Sequence, residues 1–164
     1  MAFVLSQNRV GTARELEASF ARYRAYLEQH RAAFPPSAFE LASSDWYFSL
    51  SDPRAPHDGW LEDLEVSERG DAAQAERCVS IRLRLRNAQH NRYLDFVYPR
   101  VFEYHLDLDR GRAGHRDWRY DEFRLSDEGT VIHEIEWSGA GDVGRWLIVG
   151  SDVHLTHRPM HETV

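Results

Sequence analysis

The segment Trp118–Trp137 reads WRYDEFRLSDEGTVIHEIEW and indicates the fold more clearly than any other part of the chain. Both halves of the segment have the pattern of β-strands. Ser126–Gly129 between them is typical of a type I turn, with Gly129 placed for a bulge. We therefore predict an antiparallel hairpin in which Phe123 pairs with His133.

Further strands are predicted around this hairpin. In the run Cys78–Arg86 apolar and polar residues alternate, so one face of that strand is expected to be buried. The extended run Tyr93–Leu108 contains Pro99, and proline within a sheet implies an edge position or a bulge. The other predicted strands are short: Asp45–Leu50, Trp60–Val66, Arg145–Val149 and Val153–His157.

One amphipathic helix is predicted ahead of the strands, over residues 12–34. Thr12 and Glu15 have the spacing of a capping box, in which each side chain accepts from a free backbone N–H of the first turn. Pro35 and Pro36 then stop the helix, since neither can continue the hydrogen-bond ladder. Apolar residues recur between these limits at helical spacing: Leu16, Phe20, Tyr23, Leu27 and Phe34.

A helix first and strands afterwards predicts an α+β fold. We expect one N-terminal amphipathic helix packed on a mostly antiparallel sheet of about six to eight strands, with the sheet region over residues 38–158. Because strands do not alternate with helices, a doubly wound parallel sheet is disfavoured. A chain of 164 residues fits a single domain over 1–164.

Composition excludes several classes of function. All 20 basic residues are arginine and the net charge is −7. Without lysine there is neither a Schiff-base lysine nor a P-loop lysine. The acidic balance argues against nucleic-acid binding. No apolar run is long enough for a signal peptide or a membrane span, and the single cysteine, Cys78, fits a reducing cytosol.

Two motifs resemble cofactor or metal sites but lack the required context. Gly139–Gly144 matches the glycine spacing of dinucleotide-binding loops, yet it lies between two strand-like runs instead of opening a helix. His154, His157 and His161 have a suggestive spacing, but residues 154 and 157 face opposite sides of a strand. We predict neither a cofactor nor a metal.

The strongest candidate site lies in the hairpin. In the predicted register Asp121 is diagonal to His133, and a shift by one residue would bring Glu122 opposite His133 instead. A histidine oriented by a carboxylate is a possible general base, or it is a core histidine whose ring nitrogen needs a buried partner. The residues predicted to line an adjoining pocket are Trp118, Tyr120 and Trp137, with a loop pair, His57 and Asp58, as a further binding candidate.

Two classes of function fit these features. The first is a non-catalytic binding or interaction domain of the bacterial cytosol, immunity- or antitoxin-like, whose partner is a basic protein or a second copy of the chain in a homodimer. Its attracting residues would be acidic: Glu62, Asp63, Glu65 and Glu68. The alternative is a small enzyme or ligand-binding domain that uses the His133–carboxylate pair in a cavity between helix and sheet.

Overall fold

The computed structural model describes residues 3–5, 12–70, 77–108, 114–138 and 143–160. Within these ranges two helices precede seven strands. The helical elements are α1 (Ala13–His30), a 3-10 turn (Arg31–Ala33) and α2 (Pro36–Ser43). The strands are β1 (Trp60–Gly70), β2 (Arg77–Arg86), β3 (Arg92–Leu106), β4 (Asp117–Leu125), β5 (Val131–Ser138), β6 (Val143–Gly150) and β7 (His154–Pro159).

The strands form one antiparallel sheet that nearly closes on itself. Its order is β2-β1-β4-β5-β6-β3-β7, and β2 also pairs with β3. Six strands therefore make a ring, in the order β1-β2-β3-β6-β5-β4. In the described part of the chain a single bridge, Trp60 to Asp117, joins β4 to β1. The predicted α+β class, with helix packed on a mostly antiparallel sheet, is confirmed.

Strand β3 changes one of its neighbours along its length. Its first part pairs with β7 and its second part with β6. At the change the pairing with β2 slips, because Tyr98 faces Ile81 whereas Val101 faces Val79. Pro99 lies in the extra length of β3 between these pairs, which confirms the predicted bulge.

Helix α1 begins where the sequence predicts. Thr12 Oγ1 accepts from the backbone N–H of Glu15 at 3.3 Å, and the Glu15 carboxylate accepts from the Thr12 N–H at 3.4 Å, so the capping box is confirmed. Tyr23 of the predicted apolar stripe is fully buried, whereas Leu16 and Phe20 are half-buried. Neither described helix has the length and apolar character needed to cross a membrane.

The helix predicted over residues 12–34 ends early, and a second helix, α2, follows it. Proline suits the first turn of α2, because the N–H that it lacks has no helical partner there. The Ala38 N–H at the start of α2 donates to Asp152 Oδ1 at 2.9 Å, a cap that local sequence cannot reveal. The predicted strand Asp45–Leu50 is wrong, since these residues form turns after α2.

The inward side chains of the ring form one core that is rich in aromatic residues. The alternation predicted for Cys78–Arg86 is confirmed, since Leu83 is buried and Arg82 is exposed. Trp118 stacks on Phe96 with the ring centroids 5.2 Å apart and the planes 15° from parallel. Stacked and edge-on rings of this kind fill the space between the strands.

Helix α1 covers the edge of β4 where β1 is not paired with it. The Tyr23 hydroxyl accepts from the Phe123 N–H at 2.7 Å and donates to the Phe123 carbonyl at 3.1 Å. The Tyr26 hydroxyl accepts from the Leu125 N–H at 2.8 Å. Two side chains of the helix thus take the place of a neighbouring strand, which protects an edge that would otherwise be open to pairing.

We predict that Tyr23→Phe destabilises the fold by about 2 kcal/mol, because it leaves a buried N–H and a buried carbonyl of β4 without partners. Urea unfolding monitored by circular dichroism measures the change. Tyr104→Phe is the matched control, since Tyr104 is 44% exposed, and its effect should stay within roughly 0.5 kcal/mol. Equal stabilities of Tyr23→Phe and the unmodified chain would contradict this account of the β4 edge.

Candidate functional site

The register of the β4–β5 hairpin brings the predicted pair together. Phe123 pairs with His133 and Asp121 with Ile135, as the sequence predicts. Gly129 adopts a φ of 79°, the left-handed conformation required by the turn. Asp121 therefore lies diagonal to His133, and its Oδ2 is 2.9 Å from His133 Nε2.

A bulge in β4 adds a third residue to this face. Strand pairing slips between Trp118 and Tyr120, which leaves Arg119 as the extra residue. Residues three apart in a regular strand face opposite sides, but the bulge turns Trp118 and Asp121 to the same side. The indole Nε1–H of Trp118 can therefore donate to Asp121 Oδ1, at 2.9 Å.

Two tyrosines complete a buried hydrogen-bond network. The Tyr47 hydroxyl, in the turn after α2, donates to Asp121 Oδ2 at 2.7 Å. On the far side of the imidazole the Tyr98 hydroxyl lies 2.6 Å from His133 Nδ1. All five residues are at most 2% exposed, so water contributes little to their hydrogen bonding.

Donor counting assigns the hydrogen on the imidazole. The two phenols, the indole and one ring N–H supply four hydrogens, and all four find acceptors if the ring hydrogen is on Nε2. Tyr98 then donates to Nδ1, while Asp121 accepts three bonds as a carboxylate. A second hydrogen on the His133 ring would compete with Tyr98 for the bond at Nδ1 and leave one of these donors without an acceptor in the described structure.

Burial strongly raises the pKa values of the two tyrosine hydroxyls in this network. Loss of solvation raises the pKa of Tyr47 well above its usual value, and the Asp121 carboxylate raises it further. The pKa of Tyr98 is raised by the same two causes in the same order. Both hydroxyls therefore remain hydrogen-bond donors over the ordinary pH range.

A cavity of about 120 Å³ lies beside the network, between α1, the turn after α2 and the start of β4. Asp121, Trp118 and Tyr47 border it and connect it to His133 through their hydrogen bonds. The remaining bordering residues are mostly apolar or aromatic: Leu16, Phe20, Phe48, Leu50, Pro56, His57, Arg119 and Tyr120. A small apolar space with one carboxylate at its wall has the character of a ligand site.

The other predicted binding residues divide between this cavity and the rest of the fold. Tyr120 and His57 border it, and their rings meet edge to face with centroids 5.7 Å apart. Trp137 does not border it, because it lies in the core between the rings of Trp118 and Trp146. Asp58 is outside the lining as well, and its Oδ2 lies 3.2 Å from His57 Nδ1.

Glu122 is not a partner of His133, so the alternative register is wrong. It faces the opposite side of β4, where its Oε2 accepts from the backbone N–H groups of Phe3 and Val4 at 2.7 and 2.8 Å. Its Oε1 lies 3.0 Å from Arg124 Nε. Burial raises the pKa of the Glu122 carboxyl, although both N–H groups and Arg124 oppose the shift. Glu122 therefore fixes the N-terminal segment to the sheet.

Tyr47 and Tyr98 are members of the network that the sequence analysis missed. Tyr98 could have been found, since it is the next inward position of β3 after Phe96. Tyr47 could not, because the segment containing it was predicted as a strand and only the packing of α2 brings it to Asp121.

A wider depression of about 480 Å³ lies at the start of β1 and β4, bordered by Trp60, Leu61 and residues 114–117. The Trp60 Nε1–H donates to Asp117 Oδ1 there, at 2.7 Å. Its described border includes neither Asp121 nor His133, so it is separate from the hydrogen-bond network.

The cofactor and metal motifs add nothing to this site. Gly144 lies in β6, whereas residues 139–142 of the glycine pattern are outside the described ranges, as is His161. Among the described residues no group of three or more His, Cys, Asp or Glu side chains could hold a metal ion. No family model, curated protein or solved structure matches the chain. The chemistry of the site therefore follows from the geometry of its own residues.

That geometry determines what the network can do chemically. Both ring nitrogens of His133 are engaged, Nδ1 by Tyr98 and Nε2 by Asp121, and the ring is fully buried. A general base needs a free nitrogen within reach of a substrate proton, and His133 has none in this arrangement. The group that borders open space is Asp121, so the network can hold a carboxylate at the cavity wall.

We predict that the single hydrogen of the His133 ring is on Nε2, because only this tautomer gives every hydrogen of the network an acceptor. Long-range proton–nitrogen NMR correlations of the histidine side chains distinguish the two tautomers. Tyr98→Phe should disturb the Nδ1 resonance while the Nε2–H bond to Asp121 persists. Observation of the Nδ1–H tautomer in the unmodified chain would contradict the assignment.

We predict that the free energy of unfolding falls as the pH rises above roughly 10, the usual pKa of a phenol. The raised pKa values of Tyr23, Tyr47 and Tyr98 mean that the folded chain holds these protons more tightly than the unfolded chain does. Their stabilising contribution is therefore complete below the unfolded pKa and is lost as the pH rises towards the folded pKa.

Urea unfolding between about pH 8 and pH 11 measures this fall. The chain contains 7 tyrosines and no lysine, so no ammonium side chain titrates together with the phenols. Tyr47→Phe should be less stable at pH 8 but lose less stability between pH 8 and pH 11. The prediction is wrong if tyrosinate absorbance shows all seven phenols ionising together while the chain is still folded.

Proposed function

We propose that the chain is a non-catalytic ligand-binding domain whose site is the cavity between α1, the turn after α2 and β4. The main support for this proposal is the position of Asp121 at the wall of an otherwise mostly apolar cavity. A core histidine needs only one carboxylate partner, and a closed core would satisfy it equally well. An accessible space beside the network is what favours binding over a purely structural role.

The dimensions of the cavity favour a small ligand. A dry cavity of about 150 Å³ in another protein holds benzene. The cavity beside Asp121, at about 120 Å³, suits a ligand or a ligand group somewhat smaller than that. Leu50 borders the cavity and is 70% exposed, so a larger molecule can extend past it into solvent.

In this proposal His133 positions the carboxylate and does not transfer protons. Its Nε2–H and the Tyr47 hydroxyl both donate to Asp121 Oδ2, while Trp118 donates to Oδ1. Three fixed donors hold the carboxylate in one orientation before a ligand arrives, which lowers the entropic cost of binding. An enzyme would need a second acid–base group besides Asp121, and His57 is the one histidine in the described cavity lining.

A protein partner is a second proposal, favoured by the net charge of −7. The acidic residues of β1 support this second proposal less than the sequence suggests, because two of them are paired with arginines. Glu62 forms an ion pair with Arg86 of β2, and Glu68 lies 3.3 Å from Arg77. These pairs reduce the negative potential that would attract a basic protein. A homodimer and a cytosolic location likewise remain proposals, the latter on the single cysteine, Cys78.

We predict saturable binding of small neutral probes such as tert-butanol and smaller alcohols, in the millimolar range typical of fragments, with chemical-shift changes centred on the Trp118 indole N–H and the Asp121 amide. Leu16→Trp should abolish these changes because it fills the cavity from α1. Val66→Trp is the matched control, since Val66 is an exposed residue of β1 away from the cavity. Failure of every probe to shift the Trp118 resonance, or equal binding by Leu16→Trp, would contradict the proposed function.

A further inference from the structure

We infer that the cavity binds a compact organic cation, such as a primary or methylated ammonium group, with Asp121 as its counter-ion. The inference depends on the proposed function, because it names the class of ligand for the same cavity. Three features of the described residues lead to it: the charge balance of the network, the aromatic lining and the unused acceptor position of the carboxylate.

The charge balance leaves Asp121 without a positive partner. Its side chain is 3% exposed, and its hydrogen bonds come from a phenol, an indole and an imidazole. The donor count makes that imidazole, His133, neutral. No arginine in the described part of the chain forms an ion pair with Asp121. A buried and uncompensated carboxylate is costly, and a cation beside it would lower that cost.

The aromatic lining favours the same kind of ligand. The rings of Phe20 and Phe48 lie 5.3 Å apart at 63°, and those of Tyr47 and Phe48 lie 4.9 Å apart at 82°. All three of these residues border the cavity. The negative faces of aromatic rings attract cations, and quaternary ammonium groups are bound in cages of aromatic residues.

The carboxylate has one acceptor position left for a ligand. Two carboxylate oxygens offer about four acceptor positions. Oδ2 of Asp121 uses two of them, for Tyr47 and His133, and Oδ1 uses one, for Trp118. A primary ammonium group can donate to the remaining position on Oδ1, whereas a methylated one would be held by charge and ring contacts alone.

Arg119 is the arginine of the described lining, and its positive charge opposes a cation. It is exposed, and its guanidinium carbon lies 5.3 Å from the centroid of the Tyr120 ring. Solvent screens a charge at this position more strongly than it screens the buried carboxylate. Asp121 therefore dominates the potential within the cavity, and Arg119 weakens cation binding without reversing the preference.

The test is a titration of the full chain with tetramethylammonium chloride and, separately, with tert-butanol, which has the same number of non-hydrogen atoms and no charge. Chemical shifts of the Trp118 indole N–H report on both ligands, and sodium chloride at matched concentration controls for ionic strength. The expected result is that the cation binds at least about tenfold more tightly, which corresponds to about 1.4 kcal/mol. Asp121→Asn should remove this preference.

Two further variants keep the test decisive if Asp121→Asn does not fold. Phe48→Leu should weaken binding of the cation by at least about threefold and leave tert-butanol binding nearly unchanged, because leucine preserves apolar contact but has no ring face. Arg119→Gln should strengthen cation binding by about twofold. The Phe48 variant changes a half-buried side chain and the Arg119 variant an exposed one, so both are expected to fold.

The outcomes separate the inference from the proposed function. If tert-butanol binds as tightly as the cation, the cavity is a ligand site but the inference is wrong. If Arg119→Gln weakens binding of the cation, the electrostatic potential in the cavity is not the negative one that Asp121 should produce, and the inference fails. If neither compound shifts the Trp118 resonance, the proposed function fails with it.

Discussion

The carboxylate of Asp121 accepts hydrogen bonds from three separate positions of the chain, and the placement of the turn after α2 against the sheet depends on it. The three donors are Tyr47 in the turn after α2, His133 in β5 and Trp118 at the start of β4, on the other side of a bulge. Removing any one donor would leave a buried charge less well satisfied, so each bond constrains the others. The network fixes the position of the turn that forms one wall of the cavity.

The hydrogen-bond network has the packed core on one side and the cavity on the other. The imidazole of His133 stacks on Phe123 with centroids 4.0 Å apart, and Trp118 stacks on Phe96. These rings occupy the space within the sheet, so the described space adjoining Asp121 lies towards α1 and the turn after α2. The core and the cavity thus share one set of polar residues. A histidine with a carboxylate partner is expected in either setting, so the sequence pattern alone does not distinguish a catalytic histidine from a structural one.

The edge of β4 is satisfied partly by pairing with β1 and partly by side chains of α1. One bridge joins β4 to β1, and the tyrosine hydroxyls of α1 bond to the β4 edge beyond it. The helix must therefore lie along β4, and its first two turns then place Leu16 and Phe20 beside the cavity. Protection of a strand edge and formation of a ligand site follow from the same helix position.

The sequence by itself determined the α+β class, the start of α1 and the hairpin that brings a carboxylate of β4 close to His133, because capping, alternation and turn chemistry act between residues close in the chain. Only the tertiary structure decided the contribution of Tyr47, the cap that Asp152 provides for α2 and the bulge at Arg119 that turns Trp118 towards Asp121. These features depend on contacts between distant segments or on a slip of strand pairing, and local residue patterns do not encode either one.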